Sequence, residues 1–289
     1  MTTTGGERDG RAAGEAYDRS AGDYDGLLRH NAEGARRLVA AIPEGRYDRI
    51  LDVGCGTGTA EISLARLRLS QMRFVGVDLL VDRLRAADSA TRGINARVMY
   101  AAADACHLPF ADGSFDSTFC VAVLQHIRDI GRAVGELARV TRPSGRVLVV
   151  EPDNAARYWF SSIPSGMHAD ELGRRFFAGI AAARGEAAES SVGPLIPGLF
   201  VSHGVEPVYV QLFPVSVSHL GPPPASLWEG RRQAVRSAID KAPGESLKRL
   251  GTDYLKAIER YAQDADRAGT SFVEIQNTML FATVGQKTE

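Results

Sequence analysis

The sequence predicts an α/β fold in which helices cover both faces of a mostly parallel sheet. An apolar run at residues 50–53 indicates a buried strand, which passes into glycines at every second position and then into an apolar helical pattern at residues 60–67. Strand-like and helix-like patterns continue to alternate along the chain. Such alternation is typical of a doubly wound parallel sheet.

The glycines that follow the first strand predict a nucleotide site. They are Gly54, Gly56 and Gly58, with Asp52 two places before the first. Glycine lets a ligand approach the backbone closely, and a helix start offers free N–H groups to an anion. A second apolar strand ends at Asp78, about 20 residues beyond the last glycine, where a carboxylate can bind both ribose hydroxyls. No G-x-x-x-x-G-K-[ST] stretch occurs, which excludes a P-loop.

The D-x-G-x-G-x-G form of this loop resembles the first motif of class I methyltransferases that use S-adenosylmethionine. Three further stretches match that family in the same order: Y-D-x-x-A-x-x-Y-D at 17–25, A-D-A-x-x-L-P-F at 103–110 and F-D-S-T-F at 115–119. The resemblance covers residues 16–153 well and the remainder weakly. It implies a Rossmann-like, doubly wound, mostly parallel seven-stranded sheet whose last strand is antiparallel, with helical cap insertions.

The resemblance also implies the ligand and its contacts. S-adenosylmethionine is the expected cofactor, S-adenosylhomocysteine the product, and no metal is expected. Asp78 would bind the ribose, Asp104 would accept the adenine amino group, the Ala105 N–H would reach a ring nitrogen, and Leu79 or Leu80 would flank the adenine. The other implied cofactor residues are Asp52, Gly54, Gly56, Gly58, Val121, His126, Tyr17 and Tyr24.

Two of these assignments have alternatives. Tyr17 and Tyr24 are seven residues apart and share one face of a continuous helix. One tyrosine would close the site, or both would only anchor the segment to the core. Asp104 could be a turn residue, but carboxylates at three successive strand ends (Asp52, Asp78 and Asp104) favour cofactor contact.

Three residues are candidates for a general base, should the acceptor need one. His126 follows the fourth strand and has the right chemistry near pH 7, although its imidazole could instead pack on the cofactor. Glu151 ends the fifth strand and would face the substrate side of the cleft, or be a solvated strand end. His168 lies in the expected cap, where it could equally be a surface residue.

The chain is expected to have three parts. Residues 1–45 would form an N-terminal helical lid. The Rossmann-like core would comprise residues 46–153, 191–217 and 270–289. Helical insertions at 154–190 and 218–269, including a helical stretch at 157–177, would form a cap that chooses the substrate.

Composition limits the partners and the location. The formal charge of −1 argues against a nucleic-acid-binding protein. No window of 18 apolar residues occurs, the first residues lack the apolar centre of a signal peptide, and the three cysteines have no metal-ligand spacing. A cytoplasmic protein with no membrane contact is therefore expected, and whether it forms a homo-oligomer stays open.

The sequence thus predicts methyl transfer from S-adenosylmethionine to a small metabolite, as in natural-product biosynthesis. Aromatic residues in the expected cap suggest an apolar or aromatic acceptor, although they could simply be the core of that cap. Whether O, N or C is methylated stays open. Two alternatives are an enzyme that holds the cofactor while catalysing a cyclisation or rearrangement, and a non-catalytic regulator that binds the cofactor.

Overall fold

The computed structural model describes residues 49–60, 62, 73–93, 97–184 and 191–289. The expected N-terminal lid, with Tyr17 and Tyr24, lies outside the described residues. Most of the helix expected after Gly58 also lies outside them.

The described residues contain seven strands in one mixed sheet. They are β1 (Arg49–Val53), β2 (Arg73–Asp78), β3 (Arg97–Ala102), β4 (Phe115–Val121), β5 (Thr141–Ser161), β6 (Val205–Leu220) and β7 (Val273–Lys287). Their order is β3-β2-β1-β4-β5-β7-β6. Strand β1 pairs in parallel with β2 and β4, and these pair in parallel with β3 and β5. The last strand is antiparallel, which confirms the predicted α/β fold class.

Six α-helices accompany these strands in the described part of the chain. They are α1 (Val81–Thr91), α2 (Ile130–Val140), α3 (Pro164–Arg184), α4 (Ile196–Ser202), α5 (Ala225–Asp240) and α6 (Glu245–Ala268). Short 3-10 helices occupy Leu124–His126, Gly193–Leu195 and Gly269–Ser271. Among the described residues, no helix has the length and apolar character needed to span a bilayer.

The chain divides into two compact units. The first comprises residues up to 153 together with 192–213 and 280–289, and the second comprises 154–191 and 214–279. That the second unit is a substrate-selecting cap stays a prediction.

The core of the first unit surrounds its central strand. In β1, Ile50 and Leu51 are fully buried. Helix α2 begins where the Asp129 side chain accepts a hydrogen bond from the Arg132 N–H at 3.0 Å, and it buries one apolar face against the sheet core. Phe200 of α4 belongs to the same cluster. This core includes residues of β1 and β4, and the ends of these two strands carry the candidate site.

The second unit has an aromatic core with a buried ion pair. Tyr261 of α6 packs edge-on against Trp228 of α5, with ring centroids 5.0 Å apart. The fully buried Glu274 of β7 accepts two hydrogen bonds from the Arg231 guanidinium and one from the Tyr261 hydroxyl. Burial opposes ionisation of Glu274, but the hydrogen bonds from Arg231 outweigh it, so the pKa of this carboxyl lies below its usual value.

One sequence prediction of helix is wrong in detail. Residues 157–160 belong to β5, and α3 begins only at Pro164. Their Tyr, Trp and Phe side chains suit a strand, whereas proline is well tolerated in the first turn of a helix. The helical insertion expected at 218–269 contains two helices, because the chain turns between them at Gly244, whose φ is +79°.

Candidate functional site

The carboxyl ends of the parallel strands meet at one edge of the sheet. Val53 at the end of β1 is paired with Val77 of β2 and Cys120 of β4. From β1 the chain continues outward to β2 and β3, and then returns to place β4 on the other side of β1. Ligands of open α/β sheets bind at this kind of reversal, outside the carboxyl ends of the strands. The loops after β1 and β4 border it.

The glycine loop after β1 takes the backbone form that the sequence predicted. Gly54, Gly56 and Gly58 have φ values of +76°, +55° and +78°, which residues with a Cβ rarely adopt. The Gly54 N–H donates to the carbonyl of Val77 at 2.7 Å, which ties the loop to β2. A Cβ on Gly54 would lie 2.2 Å from a methyl carbon of Val123. The backbone conformation therefore favours glycine at all three positions, and at Gly54 a side chain would also clash with Val123.

Asp78 is held at this loop by two backbone groups. Its Oδ2 accepts from the Gly56 N–H and its Oδ1 from the Leu80 N–H, both at 2.9 Å. Each carboxylate oxygen has a second lone pair, so the group can still accept from hydroxyls. The neighbouring Leu79 is 44% exposed, which leaves its side chain available to a flat apolar group.

Asp104 lies in a turn two residues after β3. Its Oδ1 accepts from the Cys106 N–H at 2.8 Å, and its Oδ2 is 3.4 Å from Nδ1 of His107. The other ring nitrogen of His107 contacts the Arg132 guanidinium on α2. Asp104 is thus a turn residue and an exposed, oriented carboxylate at once, followed by the half-buried Ala105. The sequence left open whether Asp104 is a turn residue or a cofactor contact, and this geometry is compatible with both.

Glu151 does not lie where the sequence placed it. Its side chain is 0% exposed, so it is not a solvated strand end and does not face the cleft as expected. Its Oε1 accepts from the N–H groups of Val123 and Leu124, both at 2.7 Å, and its Oε2 from that of Gln125 at 3.3 Å. Burial raises the pKa of this carboxyl to about 7, although the backbone hydrogen bonds lower it. Its geometry is that of a support for the turn after β4.

The two histidines have different surroundings. His126 ends the 3-10 turn after β4, and burial lowers its pKa to about 4, so its imidazole is neutral at pH 7. A group with so low a pKa is a weak general base. His168 lies on α3 in the second unit and is exposed.

The remaining predicted residues lie in or beside the sheet. Asp52 is 3% exposed within β1, and Val121 is half-buried at the end of β4. Their contact with a cofactor stays a prediction. Sequence reasoning missed the strained Ala122, whose φ is +57°, and the Arg132–His107 contact behind Asp104. No pattern in the sequence signals either feature, because both depend on neighbours distant along the chain.

Comparison with known proteins agrees with this geometry. Residues 51–149 match the family model described as a methyltransferase domain. The matched segment makes up about a third of the chain. This match agrees with the resemblance to class I methyltransferases, which implied S-adenosylmethionine as the cofactor.

Sequence similarity to named relatives extends over about half of this chain. A demethylmenaquinone methyltransferase of Thermobifida fusca is 33% identical over 151 residues, which are 50% of this chain and 63% of that protein. The 27-O-demethylrifamycin SV methyltransferase of Amycolatopsis mediterranei is 32% identical over 136 residues, 46% of this chain and 47% of that protein. The chain therefore spans less than two thirds of the length of either relative.

A solved structure has the same fold over most of the chain. The [4+2]-cyclase SpnF aligns with a TM-score of 0.52 at 19% identity, covering 89% of this chain and 82% of that one. At this identity the likeness concerns the fold alone.

Proposed function

We propose that the protein transfers the methyl group of S-adenosylmethionine to a small metabolite. The observation that carries the proposal is the Asp78 carboxylate, held against the glycine loop by the Gly56 N–H within a domain that matches the methyltransferase family. A carboxylate fixed beside such a loop suits a ribose, and the N–H groups at the start of the following helix suit a carboxylate of the ligand.

Each part of the cofactor has a candidate partner in the first unit. Asp78 would bind the ribose hydroxyls through the lone pairs that its backbone contacts leave. Asp104, oriented by the Cys106 N–H and His107, would accept from the adenine amino group. The exposed Leu79 would cover one face of the adenine. Tyr17 and Tyr24 stay candidates for closing the site, and Asp52, Gly54, Gly56, Gly58, Ala105, Val121 and His126 stay candidates for contact.

The cofactor carries its methyl group on a sulfonium, which is already a good leaving group. The protein then has mainly to align an acceptor atom, and alignment alone can contribute about 7–11 kcal/mol in well-oriented systems. Neither candidate base of the first unit is well suited to proton transfer, because Glu151 is fully buried and His126 is a weak base. This favours an acceptor that needs no strong base, or a base elsewhere in the chain, for which the exposed His168 stays a candidate.

The acceptor that we propose is a small apolar or aromatic product of secondary metabolism. Relatives of this domain include O-methyltransferases from secondary metabolism. The second unit, which we propose to be the cap, has an aromatic core around Trp228 and Tyr261. These rings are packed against each other, so they support a stable cap more directly than they support the identity of a substrate.

The test is incubation of the protein with cofactor labelled in the methyl group and a fractionated host extract. Mass spectrometry of each fraction then identifies any labelled product. Label in a small apolar product is the expected outcome, and its position distinguishes O-, N- and C-methylation. The Asp78→Ala variant serves as the control, because it should lose transfer together with cofactor binding.

The same experiment distinguishes the alternatives. Tight binding of both S-adenosylmethionine and S-adenosylhomocysteine, with no label transferred in any fraction, would contradict methyl transfer. An unlabelled product that forms only when the protein is present would then indicate a cyclisation or rearrangement. Binding without any product would indicate a regulator.

A further inference from the structure

The turn that follows β4 has an unusual backbone. Ala122 has a φ of +57°, a left-handed conformation that is unfavourable for a residue with a Cβ. Its N–H still belongs to the sheet, donating to the carbonyl of Val150 at 2.8 Å. Immediately afterwards the chain enters the 3-10 helix Leu124–His126. A strained residue persists only where its surroundings hold it, so something must hold this turn.

The Glu151 carboxyl group accepts three hydrogen bonds from this turn, and the Gln125 side-chain amide donates to the carbonyl of Ala122 at 3.3 Å. The N–H groups of Val123, Leu124 and Gln125 start the 3-10 helix and have no partner within it, and all three donate to Glu151. Successive N–H groups after a left-handed residue form a concave anion site. Here the anion is not a ligand but a side chain from the adjacent strand, fully buried.

The turn that binds Glu151 also packs against the glycine loop. Val123 packs so closely on Gly54 that an added Cβ would lie 2.2, 2.8 and 3.0 Å from three of its carbon atoms. A shift of the turn therefore moves Val123 with respect to the loop. It also moves His126, whose own N–H donates to the carbonyl of Val123 at 2.9 Å.

We propose that Glu151 is a positioning residue for cofactor binding, acting through the Ala122–Gln125 turn on the glycine loop and touching neither cofactor nor substrate. This inference rests on the proposed function, because it takes the glycine loop to be the cofactor site. Loss of the carboxylate would allow Ala122 to relax toward ordinary dihedrals. Val123 would then shift with respect to Gly54 in the free protein. Cofactor binding would have to restore the original position of Val123, which would weaken the affinity.

The test is calorimetric titration of the full-length Glu151→Gln variant with S-adenosylhomocysteine. Glutamine has nearly the same size but removes the charge and places an amide donor against backbone donors. The expected result is a Kd roughly tenfold or more above the wild-type value, as for the loss of hydrogen bonds to a charged group.

The matched control is Glu274→Gln. That carboxylate is also fully buried and hydrogen-bonded, but its partners Arg231, Tyr261 and Gln276 all belong to the second unit. It should lose stability without losing affinity, so the pair separates weaker binding from general destabilisation. If Glu151→Gln alone does not fold, it is compared with wild type in an Ala122→Gly background, because glycine adopts the left-handed conformation without strain.

Two results would overturn the inference. One is a folded Glu151→Gln variant that binds with the wild-type Kd, and the other is an equal loss of affinity in Glu274→Gln. Failure of the proposed function would look different, because wild-type protein would then bind neither S-adenosylmethionine nor S-adenosylhomocysteine.

Discussion

Removal of the Asp78 side chain should directly weaken binding of the cofactor. It supplies an oriented negative charge at the glycine loop, where its two oxygens already accept from Gly56 and Leu80. For Asp78→Ala we expect cofactor binding to weaken by about 1.5–3 kcal/mol, as for loss of a hydrogen-bonded charge. Isothermal titration calorimetry of both proteins measures this difference.

The control for that substitution is Asp88→Ala on α1. Asp88 pairs with Arg92 on the surface, at 2.6 Å, with both side chains more than half exposed. Such surface pairs contribute about 0–1 kcal/mol, so this variant should bind the cofactor as wild type does. Unchanged affinity in Asp78→Ala would refute the assignment of this residue to the ribose.

Comparing Gly54 with Gly93 separates the free-energy cost of a left-handed backbone from that of a steric clash. Gly54→Ala requires a left-handed alanine and also a Cβ 2.2 Å from Val123, whereas Gly93, with φ +88°, has nothing within 4 Å. A left-handed alanine costs about 1–2 kcal/mol, and overpacking typically adds about 1–3 kcal/mol.

We therefore expect Gly54→Ala to lose more free energy of unfolding than Gly93→Ala in urea denaturation. Only the Gly54 variant should also lose cofactor affinity. Equal losses in the two variants would mean that Val123 moves away freely, and that the contact between the turn and the loop is not a constraint.

Glu151 should make stability depend on pH. Burial raises its pKa from 4.5 to about 7 in the folded protein. A raised carboxyl pKa favours the folded state fully below the unfolded pKa, and this contribution is lost as the pH rises through the folded pKa. At about 1.4 kcal/mol per pKa unit, the loss amounts to about 3 kcal/mol between pH 4.5 and 7.

The measurement compares wild type with Glu151→Gln in urea denaturation across that pH range. The free energy of unfolding of the wild type should fall relative to that of the variant as the pH rises. Asp52 and Cys120 are titratable groups near this position: burial raises the pKa of Cys120 most, and Glu151 and Asp52 raise it further. They are present in both proteins, so the difference isolates Glu151. A difference that does not change with pH would contradict the raised pKa.

At the scale of elements, α5 is joined to β7 by the buried pair Arg231–Glu274. Removing one partner leaves the other charge buried without compensation, which typically costs about 3–5 kcal/mol. We expect Glu274→Ala to be destabilised by this amount. A double variant, Arg231→Met with Glu274→Leu, should be close to wild type, because apolar replacement of a buried pair is often neutral.

Urea denaturation of the single and double variants checks this expectation. Glu274 also accepts from the Tyr261 hydroxyl, whose oxygen lies 3.0 Å from the Ser161 hydroxyl, so Tyr261 keeps a hydrogen-bond partner in the double variant. If the double variant were no more stable than the single one, hydrogen bonding by Tyr261 rather than the buried charge would be the main contribution.

The elements of the first unit could be predicted closely because their signals are local. The apolar run at residues 50–53 lies within β1 (Arg49–Val53), and the second predicted strand, which ends at Asp78, corresponds to β2 (Arg73–Asp78). The continuation of β5 as far as Ser161 could not be predicted in this way. Pro152 and Asp153 mark an end in the sequence, and the neighbour of β5 on its other side, β7, lies more than a hundred residues further along the chain.

The candidate site likewise has features that the sequence predicts and features that it does not. The glycines and Asp78 were predictable, because a backbone that needs φ above zero and a carboxylate at a strand end leave a mark in the sequence. The role of Glu151 was not, since nothing near it in the sequence reveals that its partners are backbone N–H groups 26 to 28 residues away. Burial, not residue type, is the observation that favours a supporting over a catalytic carboxylate.

On the scale of the whole molecule, the matched family segment and the folding unit differ. The family match ends at residue 149, but the first unit continues with residues 192–213 and 280–289. Ile196, Phe200 and Val205 are at most 1% exposed and pack in the same core as β1 and α2. Burying each such side chain contributes about 1.5–3 kcal/mol. Together they approach the 5–15 kcal/mol that stabilises a typical domain.

We therefore expect a fragment ending at Asp153 not to fold, although it contains every residue of the family match. It would also leave β5 without its neighbour β7. The fragment should show no cooperative urea transition and poorly dispersed amide resonances. Full-length Phe200→Ala is the control, because it should lose only about 3–5 kcal/mol and keep a cooperative transition. A fragment that unfolds cooperatively and binds S-adenosylhomocysteine would mean that the later segments are accessory to the methyltransferase domain.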